Sequence, residues 1–112
     1  MGKGDFLGEF EQVVLLAVLR QDNGGYGVSI RREIEESVGR EVTIGAVYAT
    51  LDRLERKGRV RSREGEATPV RGGRAKKHFA VTSSGAKALR TARAMMDTLW
   101  DGVELGGLGR KR

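Results

Sequence analysis

The sequence contains no cysteine, one proline, one histidine and few aromatic residues, which make up 5% of its 112 positions. Without cysteine there can be no disulfide, thiolate metal site or thiol nucleophile, and the composition suits a reducing cytoplasm. The lone His78 has no second imidazole with which to build a metal site or a catalytic dyad, so no metal or cofactor is implied. The glycine groups Gly24-Gly25-Tyr26-Gly27 and Gly106-Gly107-Leu108-Gly109 match neither a phosphate-binding loop nor a dinucleotide fingerprint. No carboxylate falls in an apolar setting that would tune it for acid or base work, and an enzyme is the least supported class. The longest apolar run, Val13 to Leu19, is far below the roughly 20 residues that span a bilayer. No basic segment, apolar stretch and cleavage site mark the amino terminus as a secretion signal, so the expectation is a soluble, cytoplasmic protein with no membrane partner.

What is abundant is positive charge, and it is local. The chain carries 21 Lys and Arg against 15 Asp and Glu, a net charge of +6. Ten of those cations, Arg53, Arg56, Lys57, Arg59, Arg61, Arg63, Arg71, Arg74, Lys76 and Lys77, lie between positions 53 and 77 with only Glu55, Glu64 and Glu66 among them. Eleven cations then face twelve carboxylates elsewhere, so the excess belongs to one segment. Clustered charge is what a polyanion-binding face requires, because counterion release from phosphates rewards it. Charge alone fits a solvated basic hairpin equally well.

The order of elements separates these readings. Gly8 and Glu11 open an apolar helix, Phe10 to Leu19, that stops before the turn Asn23-Gly24-Gly25. Tyr26 to Val38 has helical spacing, with Ile30, Ile34 and Val38 on one side and Gly39 as the stop. After a short link, Thr43 is a plausible N-cap for a third helix ending at Gly58. On that helix Ile44, Val47, Leu51 and Leu54 form the core arc. The opposite arc holds Gly45, Ala46, Ala49, Asp52, Arg53 and Arg56: small side chains first, cations later. A helix whose amino-terminal turns enter a major groove needs that order. Tyr48, at the edge of the core arc, suits either a half-buried core position or a hydroxyl contact to phosphate. Past Gly58 the period becomes two: Arg59, Arg61 and Arg63 alternate with Val60 and Ser62, and Lys77, Phe79 and Val81 alternate with Lys76, His78 and Ala80. The hairpin loop carries Pro69 and ends in Arg71-Gly72-Gly73-Arg74, which places arginines at its tip. Helix-turn-helix followed by hairpin is a winged helix.

Three stretches resemble the PadR family of bacterial transcriptional regulators: Tyr26-Gly27-Val28-Ser29-Ile30; Gly45-Ala46-Val47-Tyr48-Ala49-Thr50-Leu51 with Arg53-Leu54-Glu55; and Gly73-Arg74 through His78-Phe79-Ala80-Val81-Thr82-Ser83-Ser84-Gly85. The likeness runs from about Leu7 to about Leu105. Ala46 and Ala49 stand where the family usually has threonine and then proline, and His78-Phe79 where it has paired tyrosines. The resemblance implies a dimeric repressor that often releases DNA when a small aromatic or drug-like ligand binds.

Independently of the resemblance, Leu89, Ala92, Met96, Leu99 and Val103 recur at three- and four-residue intervals after the N-cap candidate Thr82. A helix from Ser83 to Leu105 would be about 34 Å long, more than this small domain can cover alone, so the stripe is expected to meet a second copy. Trp100, with Met95, Met96 and Leu99, is either interface core or an adaptable wall for a flat aromatic ligand.

The expected fold is α+β, mostly helical with a small β-hairpin: a winged helix-turn-helix over residues 1–81, a dimerisation helix over 82–105 and a flexible basic tail over 106–112. The expected partners are double-stranded DNA carrying an inverted-repeat operator, a second copy of the chain and a small aromatic ligand. The DNA-contact candidates are Tyr26, Thr43, Gly45, Ala46, Tyr48, Ala49, Thr50, Arg53, Arg56, Arg71, Arg74, Lys76 and Lys77. The competing reading is a winged helix that docks another protein or RNA without operator specificity.

Overall fold

The computed structural model describes residues 6–65 and 76–109. In order they form α1 (Glu9–Leu19), α2 (Gly27–Val38), α3 (Ile44–Arg56), β1 (Val60–Glu64), β2 (Lys77–Val81) and α4 (Ser83–Trp100), followed by a 3₁₀ turn at Gly106–Gly109. Four helices and an antiparallel hairpin in this order are the winged helix read from the sequence.

The centre of the fold is α1. Val14, Leu15, Ala17 and Val18 are all buried, so the helix is apolar around most of its circumference, as a helix enclosed by neighbours must be. It touches α2, α3, β2 and α4. Its first turn is closed by a capping box in which the Glu11 carboxylate accepts the Gly8 N–H at 2.8 Å. Ile30 and Ile34 of α2, Val47, Leu51 and Leu54 of α3, and Val60, Phe79 and Val81 of the hairpin complete the core. Ile44, expected on the α3 core arc, is only half-buried.

Each helix stops where its local chemistry dictates. Gly39 ends α2 with φ +65°, and Gly58 ends α3 with φ +75°. At the latter the Gly58 N–H donates to the Glu55 carbonyl and the Arg59 N–H to the Leu54 carbonyl, both at 2.9 Å, which is a Schellman closure. Thr43 caps α3 by accepting the Ala46 N–H at 3.0 Å. Thr82 caps α4 by accepting the Gly85 N–H at 3.1 Å, while its hydroxyl donates to the Gly58 carbonyl at 2.6 Å. That junction is tight enough that a Cβ on Gly85 would overlap the Arg59 carbonyl.

The hairpin pairs Val60 with Val81, Ser62 with Phe79 and Glu64 with Lys77 on its inner side, and Arg61 with Ala80 and Arg63 with His78 on its outer side. The α1–α2 connection serves as a third lane. The Phe79 N–H donates to the Gly25 carbonyl at 2.9 Å, and Tyr26 bridges His78. The Asn23 side-chain amide imitates a backbone partner, accepting the Val81 N–H at 2.7 Å and donating to the Val81 carbonyl at 3.3 Å. Asp22 and Asn23 adopt positive φ to make this possible, a conformation these two residue types tolerate.

The carboxy-terminal region departs from expectation. α4 ends at Trp100, not at Leu105, because Asp101 leaves the helix with ψ +127° and Gly102 has φ +76°. It is therefore 18 residues long, about 27 Å, and Val103 lies beyond it. Gly106–Gly109, expected in a flexible tail, form the 3₁₀ turn. The front of the stripe is also spoken for within the chain: Ala92 is buried and Leu89 packs against the core. Among the described residues no helix is long and apolar enough to cross a membrane.

Candidate nucleic-acid interface

α3 buries Val47, Thr50, Leu51 and Leu54 and leaves Gly45, Ala46, Tyr48, Ala49, Asp52, Arg53 and Arg56 exposed. A Cβ added to Gly45 would meet no protein atom, so packing within the chain does not explain glycine there. The first two turns thus present a shallow surface of hydrogen and methyl groups. Thr50 is a correction: at 3% exposure it belongs to the core, where its hydroxyl accepts from the Arg53 guanidinium at 3.4 Å. Thr43 is exposed, with its hydroxyl engaged as the N-cap.

Tyr48 settles between the two sequence readings. It is 44% exposed, and one side of its ring lies against α2, where a Cβ on Gly27 would overlap the phenol. Gly27 is thus required by a side chain 21 positions later. The contact joins the exposed face of α3 to the start of α2, whose N-cap is Tyr26. Lys76 Nζ stands 4.1 Å from the centroid of the Tyr26 ring, a cation–π distance. His78 meets the same ring edge-on at 5.8 Å.

The cations of α3 are largely committed inside the chain. Arg53 Nε lies 3.3 Å and Lys57 Nζ 3.7 Å from the Glu11 carboxylate. Glu11 is a buried acid, 6% exposed. Desolvation pushes its pKa up, but the Gly8 N–H, the Arg53 hydrogen bond and the charges of Lys57 and Arg53 outweigh that and hold it below its ordinary value of 4.5. Arg56 pairs with Asp52 at 3.8 Å on the exposed face, and Lys77 with Glu55 at 3.6 Å. Sequence reasoning gave Arg53 and Lys77 to DNA without these partners, since Glu11 is 42 positions from Arg53 and no periodicity links them. Arg71 and Arg74 lie outside the described residues.

The outer side of the hairpin holds exposed Arg61 and Arg63 with half-buried His78. The sequence candidates omitted both arginines, although strict alternation with the inward Val60 and Ser62 was the signal that could have found them. Arg59, read as part of that alternation, precedes β1 and is buried.

At the far end, Met95, Met96, Leu99 and Trp100 are 45%, 48%, 64% and 54% exposed. Met96, Leu99 and Trp100 line an apolar recess of 270 Å³ with Val103 and Leu105. Met95 is turned elsewhere, toward Phe6, Leu7 and Ala92, so the four proposed ligand residues do not share one wall. Between α1 and α4 runs a groove of 590 Å³ lined by Leu16, Leu19, Ala86, Leu89 and Met96, with Arg90, Arg93 and Asp97 also contributing.

Comparison with known proteins agrees with this architecture. The family model described as "Transcriptional regulator PadR-like family" matches residues 15–91, from the middle of α1 to the middle of α4. No curated protein matches the chain. Among solved structures, RosR of H. salinarum superposes with a TM-score of 0.67 at 28% identity, covering 88% of this chain and 81% of that one. A complex structure of hsRosR-S4 gives 0.68 at 26%, covering 88% and 77%. A PadR family transcriptional regulator from Eggerthella lenta gives 0.68 at 22%, covering 93% and 88%, a likeness of fold. With the family model spanning more than half of its length, this chain, a winged helix by its architecture, belongs to the PadR-like family of transcriptional regulators.

Proposed function

We propose that the protein is a homodimeric repressor that reads an inverted-repeat operator with α3 and is released from it by a flat aromatic ligand. The observation that carries the DNA reading is the exposed front of α3, where Gly45, Ala46 and Ala49 leave room for a base-pair edge. Tyr26, Tyr48 and Lys76 flank that front, and Arg53 and Arg56 stand behind it. Thr43 adds the free end of the helix.

Homodimerisation is supported by the uncovered apolar end of α4 and the open groove beside α1. Leu99 and Trp100 are more exposed than a helix of a self-sufficient domain leaves its leucine and tryptophan. Charge pattern names the orientation. Arg90 and Arg93 precede Asp97 and Asp101 along one flank of the stripe, and the flanks of two such helices are complementary when they run antiparallel about a two-fold axis. The effector reading rests on the recess at Met96, Leu99 and Trp100.

The test is selection of bound sequences from a random duplex library, followed by salt titration of the best site. An inverted repeat with half-sites about 34–36 Å apart and a steep fall of affinity with salt is the expected result. Failure to enrich a motif refutes the operator reading. Quenching or shift of the fluorescence of Trp100, the only tryptophan, on titration with planar aromatic compounds tests the effector; no response across the panel refutes it.

A further inference from the structure

One carboxylate stands where a surface made only for phosphates would carry none. At about 100° per residue, Gly45, Ala49, Asp52 and Arg56 fall within about 60° of one another. The line they form runs down the middle of the exposed face of α3, opposite buried Val47, Leu51 and Leu54. Two other carboxylates near this helix are committed within the chain. Glu11 is buried against Arg53 and Lys57, and Glu55 accepts the Ser62 hydroxyl and pairs with Lys77. Asp52 differs from both: its side chain is 66% exposed, and its partner among the described residues is Arg56, one turn further along the same line, at 3.8 Å. That pair is too long for a hydrogen bond and too exposed on both sides to hold the fold together.

The surroundings of Asp52 define what could meet it. Gly45 and Ala49 precede it, so the line rises from hydrogen and methyl to a carboxylate roughly 10 Å further along the helix axis. The helix is fixed by the Thr43 cap and by Tyr48 against Gly27, as the reading of a single base edge by a side chain requires. A phosphate repels this carboxylate, so its charge weakens binding to any duplex that offers it nothing else. In the major groove the group that answers it is the N4 amino group of cytosine. Adenine sets an acceptor, N7, beside its amino group, guanine presents two acceptors, and thymine an acceptor and a methyl group.

We propose that Asp52 is a specificity-determining residue: its carboxylate accepts a hydrogen bond from the amino group of one cytosine in each half-site, and its charge disfavours duplexes that lack that cytosine. The inference rests on the operator reading above and names a base within it.

The experiment repeats the duplex selection with Asp52→Ala, Asp52→Asn and Arg56→Gln. The wild-type motif should hold a cytosine·guanine pair in each half-site that Asp52→Ala no longer requires. Replacing that pair by thymine·adenine in one half-site should weaken wild-type binding about 5- to 150-fold, while Asp52→Ala binds both sites alike and binds a scrambled duplex more tightly than wild type does. Asp52→Asn should move the preference to adenine, whose N6 and N7 an amide matches. Arg56→Gln should weaken binding yet keep the cytosine; loss of the cytosine in that variant too would leave Asp52 only the task of aiming Arg56 and overturns the inference. Glu36→Gln, which removes an exposed carboxylate of α2, leaves the motif unchanged. Urea unfolding verifies that each variant folds; should Asp52→Ala not fold, the shift to adenine in Asp52→Asn carries the test. Wild-type motifs from both Asp52 variants overturn the inference alone. Absence of any motif for the wild-type protein overturns the operator reading, and this inference with it.

Discussion

Replacing Gly27 by alanine tests the joint between the recognition helix and its neighbour. Gly27 is the first residue of α2 and has an ordinary helical backbone, so the backbone alone gives alanine no penalty. At such a site Gly→Ala stabilises by about 0.4–1 kcal/mol through the unfolded chain. Here the added methyl would occupy the space of the Tyr48 phenol. Either the ring swings off α2 or the two helices separate, and overpacking of this kind costs about 1–3 kcal/mol. Gly27→Ala should therefore lower the melting temperature by about 4–8 °C for each kcal/mol lost in a domain of this size. In a Tyr48→Ala background the obstacle is gone, and the same substitution should raise stability by the 0.4–1 kcal/mol its backbone effect supplies. The backbone gain is common to both backgrounds and cancels, so the double-mutant cycle yields a coupling equal to the overpacking cost, about 1–3 kcal/mol. Tyr48→Phe keeps the ring and should keep the penalty. Urea denaturation of the four cycle members measures all of this. Additivity of the single substitutions within about 0.5 kcal/mol would show that the ring does not rest on Gly27, and the argument that ties Tyr26 and Tyr48 into one surface would fall.

Other outcomes follow from the same contacts. Glu11→Gln removes the charge shared by Arg53, Lys57 and the Gly8 N–H, which should cost about 1.5–3 kcal/mol. Because the folded-state pKa of Glu11 lies below 4.5, its contribution is present above that value and lost as pH falls through the lowered one; the difference in urea midpoint between wild type and variant should close in that acidic window, and a constant difference would contradict it. Leu99→Glu should leave the melting temperature of the monomer within the effect of about 0.5 kcal/mol expected at an exposed site, while converting a dimer to a monomer in sedimentation and weakening operator binding; retention of the dimer would remove α4 from the interface. Since the chain has no cysteine, Met96→Cys should form an interchain disulfide with itself if the two α4 helices cross antiparallel at the point where Arg93 of each faces Asp97 of the other, close to Met96 and nearer the carboxy-terminal end of α4 than its middle, and Trp100→Cys should not. Thr50→Val should shift stability by about 1 kcal/mol or less and leave DNA affinity unchanged, as its side chain is buried; a large affinity loss at unchanged stability would restore Thr50 as a contact.

The elements of this fold are legible in the sequence because their signals are local. Glycine stops at Gly39 and Gly58, caps at Thr43 and Thr82, and the change of period after Gly58 each depend on a handful of adjacent residues. What the sequence hides are pairings between distant segments. Asn23-Gly24-Gly25 reads as a turn, and nothing near it announces that Asn23 will act as a strand partner to Val81, 58 positions on. Thr50 stands among the DNA-contact candidates as a polar residue of α3, although at 100° per residue it falls beside Leu54 at the edge of the core arc, and it is buried with that arc. The expected run of helix to Leu105 followed the spacing through Val103 and overlooked Gly102, whose positive φ ends regular structure.

The interface follows the same division, with a consequence for how charge should be read in small basic domains. A count of cations locates the segment but assigns the same weight to Arg53, which neutralises a buried acid in α1, as to Arg63, which has no acidic partner among the described residues. Their physical costs of binding phosphate differ: one must leave a buried carboxylate to Lys57 and the Gly8 N–H alone, the other only sheds water and counterions. The described cations of the positive segment are thus two populations. One holds α1, α3 and the hairpin together, and the other faces outward on the strand positions whose alternates are buried. Substituting the first group should therefore appear mainly as lost stability, and substituting the second mainly as a lowered salt dependence, so measuring both quantities on the same variants separates scaffold from DNA grip.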